Sequence, residues 1–195
     1  EEVFTGCSWI GDGVVIRDNC VLSVKGRTSI TLPEGVRVIA GGAFSWSAIT
    51  SVVLPSSIVY IGNAAFKGCF ALSSIIIPDK VKVIGYSAFD SCYNLESVEI
   101  PLGVTNIAFA AFSNCSKLGA IDLPASILEI GDAAFERCER ISSVSIPSDV
   151  NYVGGSAFYG CTNLSSVVLP LALKRIRYSA FKGCTRLQTI EIPLG

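Results

Sequence analysis

Residues 72–94 read LSSIIIPDKVKVIGYSAFDSCYN, and this stretch of 23 residues decides the fold because the chain repeats it from end to end. Its proline recurs at Pro33, Pro55, Pro78, Pro101, Pro124, Pro147, Pro170 and Pro193, 23 residues apart after a first interval of 22. The Ala-Phe pair keeps the same beat from Ala43-Phe44 to Ala180-Phe181, and the cysteine from Cys69 to Cys184. A fixed period in the 20s marks a solenoid, in which each unit packs only on its neighbours.

Aligned on the prolines, a unit reads L-x-x-[IV]-x-[IL]-P-x-x-[VI]-x-x-[IV]-G-x-x-A-F-x-x-C. The segment before proline alternates, as in Val98-Glu99-Ile100 and Val144-Ser145-Ile146. Period-two alternation of β-branched residues predicts a short strand with one face buried. Each strand returns in the same direction one unit later, so the strands pair in parallel about 4.8 Å apart. Proline has no N–H for the ladder and ends the strand. The aliphatic pair after it (Val81 and Ile84, Val104 and Ile107) carries the chain over the core. The following glycine suits a corner at positive φ, although Ala40, Ala108 and Arg177 replace it. Seven phenylalanines are expected to stack as an internal spine.

Half of the residues are hydrophobic and 16% are charged, as expected when every unit adds an inward row to one core. No apolar run approaches the roughly 20 residues of a membrane-spanning helix, so no membrane insertion is expected. The 15 basic and 16 acidic residues nearly cancel, which argues against a nucleic-acid partner. Basic residues crowd the last unit (Lys174, Arg175, Arg177, Lys182, Arg186), and this run is read as a solvated end. Methionine is absent, which suggests a removed leader or an excised fragment.

Chemistry-bearing residues are few. The row Cys69, Cys92, Cys115, Cys138, Cys161 and Cys184 is straight, whereas zinc needs four ligands converging tetrahedrally, and histidine is absent. The row is therefore read as small buried thiols beneath the spine. Cys7 and Cys20 lie outside it, 13 residues apart; an oxidising compartment would allow a disulfide between them, a reducing one would leave both free. Glu99 and Asp122 hold the same strand position in neighbouring units, with Glu96 nearby. Two carboxylates about 5 Å apart also suit a retaining glycosidase, but an open solenoid face offers no pocket to raise the pKa of an acid. They are read as an acidic patch for a partner, with a weak calcium site as the lesser alternative. No nucleophile has a visible base and no phosphate-binding glycine loop occurs, so no catalytic residue, cofactor or metal site is assigned and enzymatic activity is not expected. Asn114 and Asn163 fit the glycosylation pattern weakly.

What remains is surface. One outward column runs Val53, Ile76, Glu99, Asp122, Ser145, Val168, Glu191; beside it runs Ser51, Ser74, Ser97, Ala120, Ser143, Ser166, Thr189. A variable column beside a uniformly small one suits either close approach by another protein or tight lateral packing. With Glu96, the variable column is the candidate partner-binding face. Tyrosines off the spine (Tyr60, Tyr86, Tyr93, Tyr152, Tyr159, Tyr178) and Phe70 are further contact candidates.

Seven consecutive copies with Pro, Ala-Phe and the aliphatic positions in register resemble the BspA-like, Treponema pallidum-type leucine-rich repeats over residues 28–195. The resemblance, with the repeat, implies a right-handed leucine-rich-repeat solenoid of α/β class, mostly β, with parallel strands and about seven 23-residue repeats. The first copy departs from the pattern: Ser45-Trp46-Ser47-Ala48-Ile49 is one residue short and lacks the cysteine, with Trp46 expected in its space. Residues 1–27 read as an N-terminal capping segment, two short strands joined through Asp18-Asn19, and residues 28–195 as the array, seven full repeats and a partial eighth without a C-terminal cap. The parent protein is expected to continue. An uncovered last coil, with Leu187, Ile190, Ile192 and Leu194, would offer an end-to-end homodimer. The resemblance also implies a surface-exposed or secreted interaction module that binds a protein ligand in adhesion or host recognition. A stalk that spaces another domain and a cytoplasmic scaffold with reduced thiols remain the alternatives.

Overall fold

The computed structural model describes residues 7–9 and 13–193; the side chain of Cys7 and Leu194 lie outside the described residues. Strands β1 (Cys7–Trp9), β2 (Val14–Arg17) and β3 (Cys20–Val24) form an antiparallel meander. The β2–β3 turn is Asp18-Asn19, at φ 48° and 61°. Two consecutive left-handed residues match the twist of a tight hairpin, and Asp and Asn tolerate that region best after glycine.

Each coil then supplies up to two short strands. The first row precedes the prolines: β4 (Ser29–Thr31), β6 (Ser51–Val53), β8 (Ser74–Ile75), β10 (Ser97–Val98), β13 (Ser143–Ser145) and β15 (Ser166–Val168). The second row follows them: β5 (Val38–Ile39), β7 (Tyr60–Ile61), β9 (Val83–Ile84), β11 (Asn106–Ile107), β12 (Glu129–Ile130), β14 (Tyr152–Val153) and β16 (Arg175–Ile176). Pairings within both rows are parallel and in repeat register, Ser143 opposite Ser166 and Asn106 opposite Glu129. The hairpin joins the stack where β3 pairs in parallel with β5, with Val14, Ile16, Val21 and Val24 buried. Alternation before proline reveals the first row. The second row escapes a sequence reading because each strand is two residues long, one outward and one inward.

Turns connect the strands, and their hydrogen bonds join the fixed positions of the repeat. The N–H of Val81 donates to Pro78 at 2.9 Å, that of Ala88 to Gly85 at 3.2 Å, that of Cys92 to Phe89 at 3.2 Å and that of Leu95 to Cys92 at 3.0 Å. The recurring x-x spacing is the spacing of a β-turn. No helix occurs among the described residues, so the α component of the expected class is absent. Recurrent left-handed residues stop any helical run, as Ser87 (52°) and Ser91 (62°) do in one coil.

The corner glycine does not supply that conformation. Gly85 has no positive φ, and the left-handed residue is Ser87, two positions on. What Gly85 permits is close approach: a Cβ there would stand 2.6 Å from the backbone nitrogen of Asn63 in the preceding coil.

The core is one continuous cluster. Phe44, Phe66, Phe89, Phe112, Phe135 and Phe158 are fully buried and stack with Phe181 in six successive pairs, 4.6 Å between centroids at the first and 5.2–5.5 Å beyond. The expected spine is present. The N–H of Phe89 donates to Ala111 of the following coil at 2.8 Å and that of Phe112 to Ala134 at 2.9 Å, so the rings lie along a hydrogen-bonded ladder. Trp46 is not in the missing cysteine's space. It sits at φ 58°, its indole is 63% exposed, and the ring lies where a side chain on Gly68 would stand. A left-handed backbone turns the side chain outward, and glycine in the next coil leaves room for it. In the last coils Leu187 and Ile190 are half-buried and Ile192 is exposed.

Candidate partner-binding face

The first row positions the candidate face. Its inward residues, among them Val52, Ile75, Val98 and Val144, are buried, and pleating turns their neighbours to solvent. Val53, Ile76, Glu96, Glu99, Asp122, Ser145, Val168 and Glu191 are all exposed, as are the small residues of the adjacent column from Ser51 to Thr189. Three of them are apolar and strongly exposed: Ile76 at 82%, Val168 at 58% and Val53 at 57%.

The ladder under this face comes in pieces. β4 pairs with β6, β8 with β10 and β13 with β15, while residues 119–124 form no strand. Asp122 therefore stands on irregular backbone beside the strand that ends at Val98. The coils stay linked there, Gly119 donating to the carbonyl of Glu96 at 3.2 Å.

The repeat cysteines are buried free thiols, and each donates to the phenylalanine carbonyl of the preceding coil: Cys92 to Phe66 at 3.1 Å, Cys115 to Phe89 at 3.2 Å, Cys138 to Phe112 at 3.1 Å. Burial pushes their pKa values up, Cys69 to about 12 and Cys115 and Cys138 well above the ordinary value. A thiol held protonated in the core suits packing, not ligation. Cys20 is a free thiol. In the register Arg17 lies opposite Cys7 on one side of β2 and opposite Cys20 on the other. About two strand spacings, some 10 Å, thus separate the two backbones, more than the roughly 7 Å a disulfide spans.

Several polar residues are taken up by coil-to-coil bonds. Asp132 accepts from the Gly155 N–H at 2.7 Å and the Tyr152 hydroxyl at 3.2 Å, and it pairs with Arg177 at 3.3 Å. The Arg177 guanidinium also lies 5.3 Å from the centre of the Tyr178 ring. Tyr152 and Arg177 therefore hold coils together. The amides of Asn114 and Asn163 donate to Asp90 and to the Glu139 carbonyl in the preceding coils, at 3.1 and 2.8 Å. Sequence reasoning missed Phe109, 53% exposed and outside the Ala-Phe beat. Its signal was a phenylalanine three residues ahead of the spine's Phe112.

Stacked coils of about 23 residues, parallel ladders and an outward face that varies over a constant core define a leucine-rich-repeat β-solenoid, a class whose members generally serve as protein-interaction modules. The family model for the BspA type leucine rich repeat region, in six copies, matches residues 14–142 and 82–195, and the chain belongs to that family. A leucine rich repeat protein of T. pallidum is 32% identical, with a TM-score of 0.79 over 86% of this chain and 82% of its own. A leucine-rich repeat protein from Eubacterium ventriosum is 26% identical, with a TM-score of 0.81 over 92% of this chain. The match spans half the length of that relative. Comparison with curated proteins gives no match.

Proposed function

We propose that the chain is a non-enzymatic interaction module, displayed at a cell surface or secreted, that recognises a protein of a host or neighbouring cell through the outer face of the first row. The supporting observation is the exposure of Val53, Ile76 and Val168 in a column flanked by small residues. An exposed aliphatic side chain contributes nothing to the core. Small neighbours let another protein approach closely enough to bury it. Glu99 and Asp122, between the apolar positions, add the charge that selects a partner carrying basic groups.

Binding of the labelled chain to intact cells, before and after protease treatment of the cells, tests this reading. Binding should disappear after treatment and weaken about tenfold with Ile76→Asp, Glu99→Lys and Asp122→Lys combined. Exposed substitutions should leave stability within about 0.5 kcal/mol each. A folded triple variant that binds unchanged would remove recognition from this face.

A further inference from the structure

The second row is hydrogen-bonded at every coil step from β3 to β16 except one: no pairing joins β9 to β11. At the steps on either side, the Gly85 N–H donates to Ile61 at 2.9 Å and the Gly131 N–H to Ile107 at 2.8 Å. The corresponding bond from Ala108 to Ile84 is not made, and neither is that from Asn106 to Lys82. The coils are not parted elsewhere at this step. Phe89 and Phe112 stack at 5.4 Å, and β8 pairs with β10 on the first row.

Over this gap lies an open cleft of about 500 Å³. Its rim carries three exposed rings, Tyr60, Tyr86 at 60% and Phe109 at 53%. Tyr86 and Phe109 hold one repeat position in successive coils. Asn106 lies in the wall, and the two charges there, Lys82 and Glu129, cancel.

We propose that this cleft binds a neutral oligosaccharide in extended form. A hydroxyl is both donor and acceptor, so a polyol can answer the Ala108 N–H and the Ile84 carbonyl together, which neither a purely donating nor a purely accepting ligand does. Exposed aromatic faces offer an apolar surface for the C–H faces of sugar rings, and the Asn106 amide fixes hydroxyl orientation. Cancelling charges give no field that would concentrate an ionic ligand. Tyr86 and Phe109 stand one coil apart, about 4.8 Å, comparable with one residue of an extended β-linked glycan. An extended peptide also offers a donor and an acceptor, and the neutral decapeptide makes it an outcome of the test. This site lies on the second row and stands independently of the protein-binding reading of the first.

Calorimetric titration with cellohexaose and chitohexaose as extended β-linked probes, maltohexaose as a helical one and a neutral Gly-Ser decapeptide tests the proposal. One extended hexaose should bind at or below about 1 mM, at least about tenfold more tightly than maltohexaose or the peptide. Binding should weaken about tenfold with Tyr86→Ala and Phe109→Ala together and several-fold with Asn106→Ala. Should the double variant misfold, a heteronuclear titration of the unsubstituted chain provides the check, with shifts confined to the cleft residues. Absence of binding by both extended hexaoses, equal binding of maltohexaose or peptide, an undiminished affinity in a folded variant, or shifts lying elsewhere would each overturn it.

Discussion

The thiol of Cys115 donates to the carbonyl oxygen of Phe89, one coil earlier, at 3.2 Å. The same carbonyl accepts the turn N–H of Cys92 at 3.2 Å. One oxygen thus closes a turn within its own coil and ties that coil to the next. The bond recurs from Cys69 to Cys184, with thiol-to-oxygen distances of 3.0–3.2 Å. A small side chain with a weak donor fits this place beneath the spine.

These thiols make the fold sensitive to alkali. Their pKa values in the folded state lie above the ordinary 9.0, Cys69 at about 12, so the folded chain keeps protons that the unfolded chain releases. Their contribution is complete below the ordinary value and falls away as pH rises from 9.0 toward the folded values. The loss is about 1.4 kcal/mol per fully buried thiol for each pH unit. Urea midpoints should fall between about pH 8 and pH 10, and less steeply in a variant with Cys115→Ala and Cys138→Ala. The six thiols should also resist alkylation until the chain unfolds. Equal slopes in parent and variant would assign the alkaline loss to other groups.

Spine substitutions should depend on position in the stack. Phe112 lies between Phe89 and Phe135, with centroids at 5.4 and 5.5 Å, whereas half-buried Phe181 stacks on Phe158 at the end of the spine. Phe112→Ala should cost about 3–5 kcal/mol, with Phe181→Ala well below it. Denaturant unfolding of the two variants decides, and equal losses would show that stacking continuity adds nothing.

Asp132 has an internal control in Asn63, whose side-chain oxygen accepts from the Tyr86 N–H at 2.9 Å just as Asp132 accepts from Gly155. Asp132→Asn keeps that acceptor and loses the part-exposed ion pair, so it should cost under about 1 kcal/mol. Asp132→Ala strands the N–H and should cost about 2 kcal/mol. Thermal unfolding of both variants reads the difference; a larger loss for Asn would place the stabilisation in the Arg177 pair.

Left-handed positions predict a stabilising change. Arg137 holds φ 56° at a repeat position that is glycine at Gly68, Gly160 and Gly183. Arg137→Gly should leave stability unchanged or raise it by up to about 1 kcal/mol, while Gly160→Ala, at φ 71°, should lower it by about 1 kcal/mol. Paired melting curves check the signs.

The sequence by itself determined the repeat length, the strand before each proline, the inward aliphatic positions, the Phe89-type spine and the buried cysteine row. It could do so because each unit packs on copies of itself, so a periodicity along the chain is also a contact between coils. Tertiary structure alone decided the second row, the left-handed backbone at Ser87 instead of Gly85, the loss of helix and the outward indole of Trp46. It also decided the unpaired step between Ile84 and Ala108. Each of these depends on where the backbone of one coil meets that of the next, at spacings of a few ångströms. Residue types that satisfy the repeat pattern equally well leave that registry open, and only the stacked coils fix it.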